Sequence, residues 1–395
     1  MIRALVALIV WISLGVGVIA QEAQPVPVGY VELEGDPRYA NQAAYAGIDF
    51  RTLGRPQPGA EVGIEDASMV GRVMGIDFTL LTAREASVEA LAEIVKTWVR
   101  DEGMHFLLAD LAAPDLLSLS DALSDLPVLI FNLTAGDDVL RGAKCRANVL
   151  HIAPSDAMRT DALVQYLVDR GWPRIAILAG EAEADAQLAE AMRRSAAKYG
   201  AEIVAEAPFA LTADPRRRKE SNIALMTADM GNPDVYFVAD DSGEFDRYVS
   251  FQTALPRPVT GTAGLTPQAW HWSWHRHGAP QLQHRFEELA TPRRMNDGGW
   301  AAWVAVKAVM QAAMRSDPAD FDAMRDFLRG EDLRLDGSKG TPMSFRPWDG
   351  QLRQPILLST ADATIARAPL EAFPHRLNDL DTLGMDAPES ACEMR

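Results

Sequence analysis

Cysteine is nearly missing from this sequence: two occur in 395 residues, Cys145 and Cys392. The choice is therefore between one disulfide and two buried thiols, and no spacing suited to a zinc site appears. Positive charge is also scarce. Thirty-eight Lys and Arg face 55 Asp and Glu, a formal charge of −17. A surface this acidic excludes nucleic acid and anionic lipid as general partners. It leaves room for an anionic ligand, because a few arginines can cluster inside an acidic protein. Catalytic grammar is missing too: there is no hydrolase elbow, P-loop or dinucleotide fingerprint. Gly261-Thr262-Ala263-Gly264 lacks the spacing and the strand-turn-helix setting of the last. The expectation is a binding protein, not an enzyme.

Long apolar runs are confined to the start. Arg3 precedes an apolar stretch from Leu5 to Ile19, interrupted by Ser13, Gly15 and Gly17, with Ala20 before Gln21. This reads as a secretory signal peptide over residues 1–20, cleaved before Gln21. A transmembrane anchor is the alternative, but the run is short and its glycines weaken a helix. Export implies an oxidising compartment, the periplasm, where Cys145 and Cys392 can pair and tie the C-terminal tail to the first lobe.

Apolar residues make up 48% of the chain, ample for burial, and the length exceeds what one core serves. Short apolar runs alternate with amphipathic stretches, the pattern of parallel α/β construction. Strands are expected at 26–33, 77–81, 104–109 and 128–133, with helices at 60–75, 87–101 and 114–126 between them. The alternation restarts with helices at 156–169, 183–199 and 216–230 and strands at 174–178, 202–207 and 235–239. Helices at 297–314 and 320–328 and a strand at 355–358 follow.

Three stretches carry a family resemblance: Pro58-Gly59-Ala60-Glu61 at the first helix, Asn148 to Asp156 at a lobe crossing, and Gly340 to Phe345 near a return crossing. The chain resembles the type I periplasmic solute-binding proteins of ABC transporters, the branched-chain amino-acid-binding group. Narrower strings (262–282, 344–362 and 380–392) resemble the subfamily associated with PQQ-dependent alcohol dehydrogenase systems, PQQ being pyrroloquinoline quinone. The resemblance implies an α/β Venus-flytrap fold: two lobes, each a mostly parallel sheet flanked by helices, joined by three crossings. Lobe 1 would be 21–152 plus 262–338, lobe 2 would be 153–261 plus 339–372, and 373–395 a tail. It also implies a monomer that captures PQQ as ligand, not as catalytic cofactor, and partners with an inner-membrane permease or a PQQ-dependent alcohol dehydrogenase. Rival readings are an aromatic alcohol or acid, a lanthanide complex, or an accessory subunit that docks the dehydrogenase and binds no small molecule.

PQQ is a flat fused aromatic with three carboxylates, so its pocket needs π-faces and guanidinium or ammonium groups. Trp270, His271, Trp272, Trp274, His275 and Arg276 offer both within seven residues. The same alternation fits a strand whose tryptophans are core. His271 and His275 stand four apart, a chelating spacing on a helix, but no matching carboxylate or thiol accompanies them, so no metal site is expected. By the resemblance, Asn132 and Thr134 would offer polar donors at a strand end, and Arg38, Arg159 and Arg346 lie near expected cleft edges. A Gly-Glu-Ala-Glu run at 180–183 stands where amino-acid binders often place tyrosine, which counts against a free amino acid. Asp240-Asp241 falls at a strand end where it would repel PQQ unless bridged by a cation. Arg216 to Lys219 reads as a solvated face or a permease-docking patch.

Overall fold

The computed structural model describes residues 23–39, 42–43, 49–50, 54–212 and 214–394. The expected signal peptide, 1–20, lies outside the described residues. Ten-residue β1 (Gln24–Leu33) is an inner strand of the first sheet, and its pleat explains why. Val26, Val28 and Tyr30 point into one apolar core while Val31 points into another, so both faces need covering. A short antiparallel pair, β2 (Gln42–Ala43) and β3 (Asp49–Phe50), follows. Parallel strands β4 (Ile76–Glu85), β5 (Phe106–Asp110), β6 (Leu129–Asn132) and β7 (Val149–His151) complete a sheet of order β4-β1-β5-β6-β7.

Helices α1 (Gln57–Met74), α2 (Val88–Asp101) and α3 (Ala113–Ala122) link these strands. Helix α1 packs closely on a later helix, α10 (Asp297–Arg315). A Cβ at Gly59 would lie 1.9 Å from the Gly299 carbonyl oxygen, and one at Gly63 would lie 2.7 Å from Val306 Cβ. Only glycine permits that approach.

The second lobe repeats the plan around parallel strands β8 (Arg174–Ala179), β9 (Glu202–Pro208), β10 (Val235–Ala239) and β11 (Val259–Gly261), in order β11-β10-β8-β9. Its helices are α4 (Asp156–Asp169), α5 (Glu183–Tyr199), α6 (Arg218–Ser221), α7 (Ile223–Thr227) and α8 (Asp246–Gln252). The single helix expected over 216–230 is broken. Asn222 is extended and its side chain accepts from the Leu225 amide, so it caps α7 instead of continuing α6.

The remaining elements are β12 (Thr266–Gln268), α9 (Ala279–Ala290), α10, α11 (Phe321–Arg329), the hairpin β13 (Ser344–Phe345) with β14 (Leu352–Arg353), and β15 (Ile356–Ser359) with β16 (Thr364–Ala368). Strands β12, β15 and β16 form an antiparallel sheet beside α4. The chain thus passes between the lobes after β7, after β12 and through the β13–β14 region. Among the described residues no helix is long and apolar enough to cross a membrane.

Candidate ligand cleft

In parallel α/β sheets the carboxyl ends of the strands form the natural ligand edge. On lobe 1 that edge carries Glu32 at the end of β1, Asp110 closing β5, and Thr134 just beyond β6. Glu32 and Asp110 are buried, so both need cationic or hydrogen-bonding partners. Three arginines supply them. Arg84 pairs with Glu32, Arg55 stands 3.3 Å from Glu32, and Arg38 reaches Asp110 at 3.2 Å and Asp36 as well. Tyr39 lies between two of these guanidiniums, 4.3 Å from Arg55 and 5.4 Å from Arg38, and its hydroxyl donates to Asp110 at 2.8 Å. Thr134 donates to Asp110 and accepts from Arg38 Nη1 at 2.8 Å. Burial pushes the Asp110 carboxyl up, against the pull of Arg38 and these hydrogen bonds.

Lobe 2 presents a more acidic edge. Asp240 is spent within its own loop, accepting from Ser242 and from the amides of Phe245 and Asp246. Asp185 accepts from the Ala182 and Asp241 amides. Asp241 stands at the rim; desolvation and Asp240 push its carboxyl up, while Arg38 opposes them from lobe 1. Among the described residues no group of three His, Cys, Asp or Glu is placed to hold a metal ion.

Contacts between the lobes define the cleft floor. Arg159 on α4 bonds Asp297 at the start of α10 at 2.9 Å and the Pro267 carbonyl at 3.0 Å. The other Asp297 oxygen accepts from the Trp270 amide. Arg194 on α5 pairs with Asp138 of lobe 1. Asp156, the first residue of α4, packs against Gly136 beside Asp137 and Asp138. Burial and then Asp138 push its carboxyl up to about 7. Gly298 sits close to Thr134, which brings the N-terminus of α10 to the same place.

The structure scatters the residues singled out from sequence. The stretch 269–278 is a turn, not a strand or helix, because His271 Nδ1 engages Ser273 and the Trp274 amide bonds the His271 carbonyl. Trp270 is 1% exposed, stacks near Trp300 and donates to Gln283; Trp274 donates to the Ser338 carbonyl. Both are core. Trp272 is half-buried, with the Arg294 guanidinium 3.6 Å above its ring. It is the one tryptophan of the three left as a platform. His271 is buried and held toward its neutral form by that burial, while His275 and Arg276 face solvent. The helical chelating geometry for His271 and His275 is therefore not formed.

Asn132 is wholly buried and spent on the chain itself. Its amide donates to the Ala135 carbonyl, and its oxygen accepts from the Thr134 and Ala135 amides. Arg346 is 2% exposed and is not at the cleft: it bonds Asp381 and the carbonyls of Leu380, Leu383 and Met385. Thr134 and Arg159 do reach the interlobe region. Arg217 pairs with Glu181 and Glu220, and Arg216, Arg218 and Lys219 are exposed. Sequence reasoning missed Tyr39, Arg55, Asp110, Arg294 and Asp297. Asp110 did carry a signal, a carboxylate closing the otherwise apolar strand Phe-Leu-Leu-Ala.

Cysteines 145 and 392 are joined by a disulfide, Cα–Cα 5.6 Å, across 247 residues of sequence. Cavities of about 440 Å³ and about 300 Å³ occur under the C-terminal tail and on lobe 2, neither of them between the lobes.

Two sheets whose ligand edges meet across three crossings form the two-lobed fold seen in solved periplasmic binding proteins. Residues 49–242 match the model of the family described as periplasmic binding protein. Among solved structures, a branched-chain amino acid ABC transporter periplasmic ligand-binding protein from Burkholderia xenovorans is 15% identical, with a TM-score of 0.73 over 93% of this chain and 99% of its own. A leucine-, isoleucine-, valine-, threonine- and alanine-binding protein from Brucella ovis, in a closed conformation, is 13% identical, TM-score 0.70, over 94% and 100%. A solute-binding protein of an ABC transporter from Rhodopseudomonas palustris, in complex with 3,4-dihydroxybenzoic acid, is 13% identical, TM-score 0.60, over 87% and 97%. No curated protein matches.

Proposed function

We propose that this chain is the periplasmic solute-binding protein of an ABC transporter and that its solute is PQQ. The lobes would close over the ligand and present it to a membrane permease, or hold it for reuse by periplasmic dehydrogenases. The observation that carries the reading is the pairing of guanidiniums with aromatic faces: Arg38 and Arg55 about Tyr39 at the lobe-1 ligand edge, and Arg294 on Trp272. A planar polycarboxylate can exchange with such pairs, stacking on the ring and drawing the guanidinium into a charge-assisted bond. Closure then removes water and strengthens those bonds. The strings that resemble the PQQ-associated subfamily support the same choice.

Asp241 opposes a trianion. The reading therefore requires that Arg38 and Arg159 outweigh it once the lobes close. Purified ligand-free protein, titrated with PQQ while tryptophan fluorescence and thermal stability are followed, tests this. Quenching with a thermal shift is expected. Neither response to PQQ, with a clear response to 3,4-dihydroxybenzoate or leucine, replaces the ligand and keeps the class. Co-purification with a dehydrogenase and no response to any small molecule replaces the function.

A further inference from the structure

The C-terminal segment returns from lobe 2 to lobe 1 by a route separate from the three crossings. Its start is anchored on lobe 2. Leu383 is buried in a lobe-2 core with Met158 and Leu163. Lys198 of α5 donates to the carbonyls of Thr382 and Gly384, and Asp161 of α4 accepts from the Gly384 amide at 2.8 Å. The residues flanking that anchor are clamped to the third crossing. Asp381 accepts from Arg346 Nε and Arg353 Nε, each at 2.8 Å, and Trp348 Nε1 donates to the Met385 carbonyl. Its end is covalently fixed to lobe 1 through Cys392–Cys145. Cys145 lies in the loop between β6 and β7, both strands of the lobe-1 sheet, and its neighbour Arg146 pairs with Asp121 of α3.

We propose that residues 380–392 are a strap, a fourth and covalent link between the lobes that limits how far they separate. Only eight residues run from the Gly384 anchor on lobe 2 to the disulfide. Fully extended they span at most about 29 Å. The span is shorter as built, because Ala387–Glu389 is coiled into a turn capped by Asp386 and Glu389. Opening would draw out this slack and then stop. The three backbone crossings of the chain set the hinge axis, and the strap sets the amplitude.

Small-angle scattering and amide hydrogen exchange on ligand-free protein test the strap without reference to any ligand. Four forms are compared: the oxidised protein, Cys145→Ser/Cys392→Ser, the protein reduced by a dithiol, and a variant with six Gly/Ser residues inserted between Ser390 and Ala391. In the reduction, the two cysteines take up two electrons and two protons while the dithiol becomes its own disulfide. The insertion keeps the bond and removes the length limit, so it answers the case in which the double serine variant fails to fold. A larger radius of gyration in the released and lengthened forms, with faster exchange at Arg346 to Arg353, is expected. An unchanged radius in all forms, with faster exchange confined to residues 386–394, would make the disulfide a mere tie for a terminus and overturn the proposal.

Discussion

Replacing Asp381 with alanine removes the carboxylate on which the C-terminal segment and the third crossing converge. Asp381 is 3% exposed and accepts from two guanidiniums, Arg346 and Arg353. Arg353 is partly solvated and can turn to water. Arg346 cannot: its side chain is 1% exposed, and its remaining partners are carbonyls, with Asp349 at 3.9 Å as the nearest other charge. Breaking a buried pair by deleting one partner costs about 3–5 kcal/mol, because the surviving charge stays desolvated. Removing that charge as well, in Asp381→Ala/Arg346→Met, should cost less than the single substitution, since an apolar side chain of similar reach needs no counter-ion. Urea unfolding with the disulfide intact measures both. A single-variant loss below about 1 kcal/mol, or a double variant worse than the single, would refute the view that Arg346 is held by Asp381.

The tryptophans should separate by role. Trp270→Ala, deep in the lobe-1 core, should cost about 3–5 kcal/mol of stability, whereas Trp272→Ala should leave the unfolding midpoint nearly unchanged and abolish most of any ligand-induced quenching. Asp156 gives a pH signature. Its folded carboxyl lies at about 7, above its unfolded value, so the native state holds the extra proton between the two. Stability should therefore fall as pH rises from about 4 to 7, by up to about 1.4 kcal/mol per unit from this group. The difference between the protein and Asp156→Asn across that window isolates the effect, and a difference that does not vary with pH would contradict it.

Much of the fold was legible locally. Helices α4 and α5 and strand β10 run over the residues that their apolar periodicity marks. Helix α9 was not seen, because Gly278 before it is left-handed and gives no side-chain cap, which leaves Pro280 in the first turn as its start signal without a capping residue beside it. The cleft was less legible for a different reason. Arg346 reads as a free arginine beside a tryptophan until Asp381, 35 positions later, folds back on it. Trp270 and Trp274 read as ligand platforms until α9 and residue 338 supply partners for their indole N–H groups. Those partnerships are tertiary and leave no spacing in the chain. The positions of Thr134 and Arg159 near the interlobe region were legible because strand ends and helix starts are local features.

The most direct test of the central claim is an equilibrium titration of ligand-free protein with PQQ, beside Trp272→Ala and Arg38→Ala variants of unchanged fold. Saturable binding of one PQQ per chain, followed by calorimetry and weakened at least tenfold in each variant, is the predicted result. No saturable binding, or binding indifferent to both substitutions, would contradict the assignment of PQQ to this cleft.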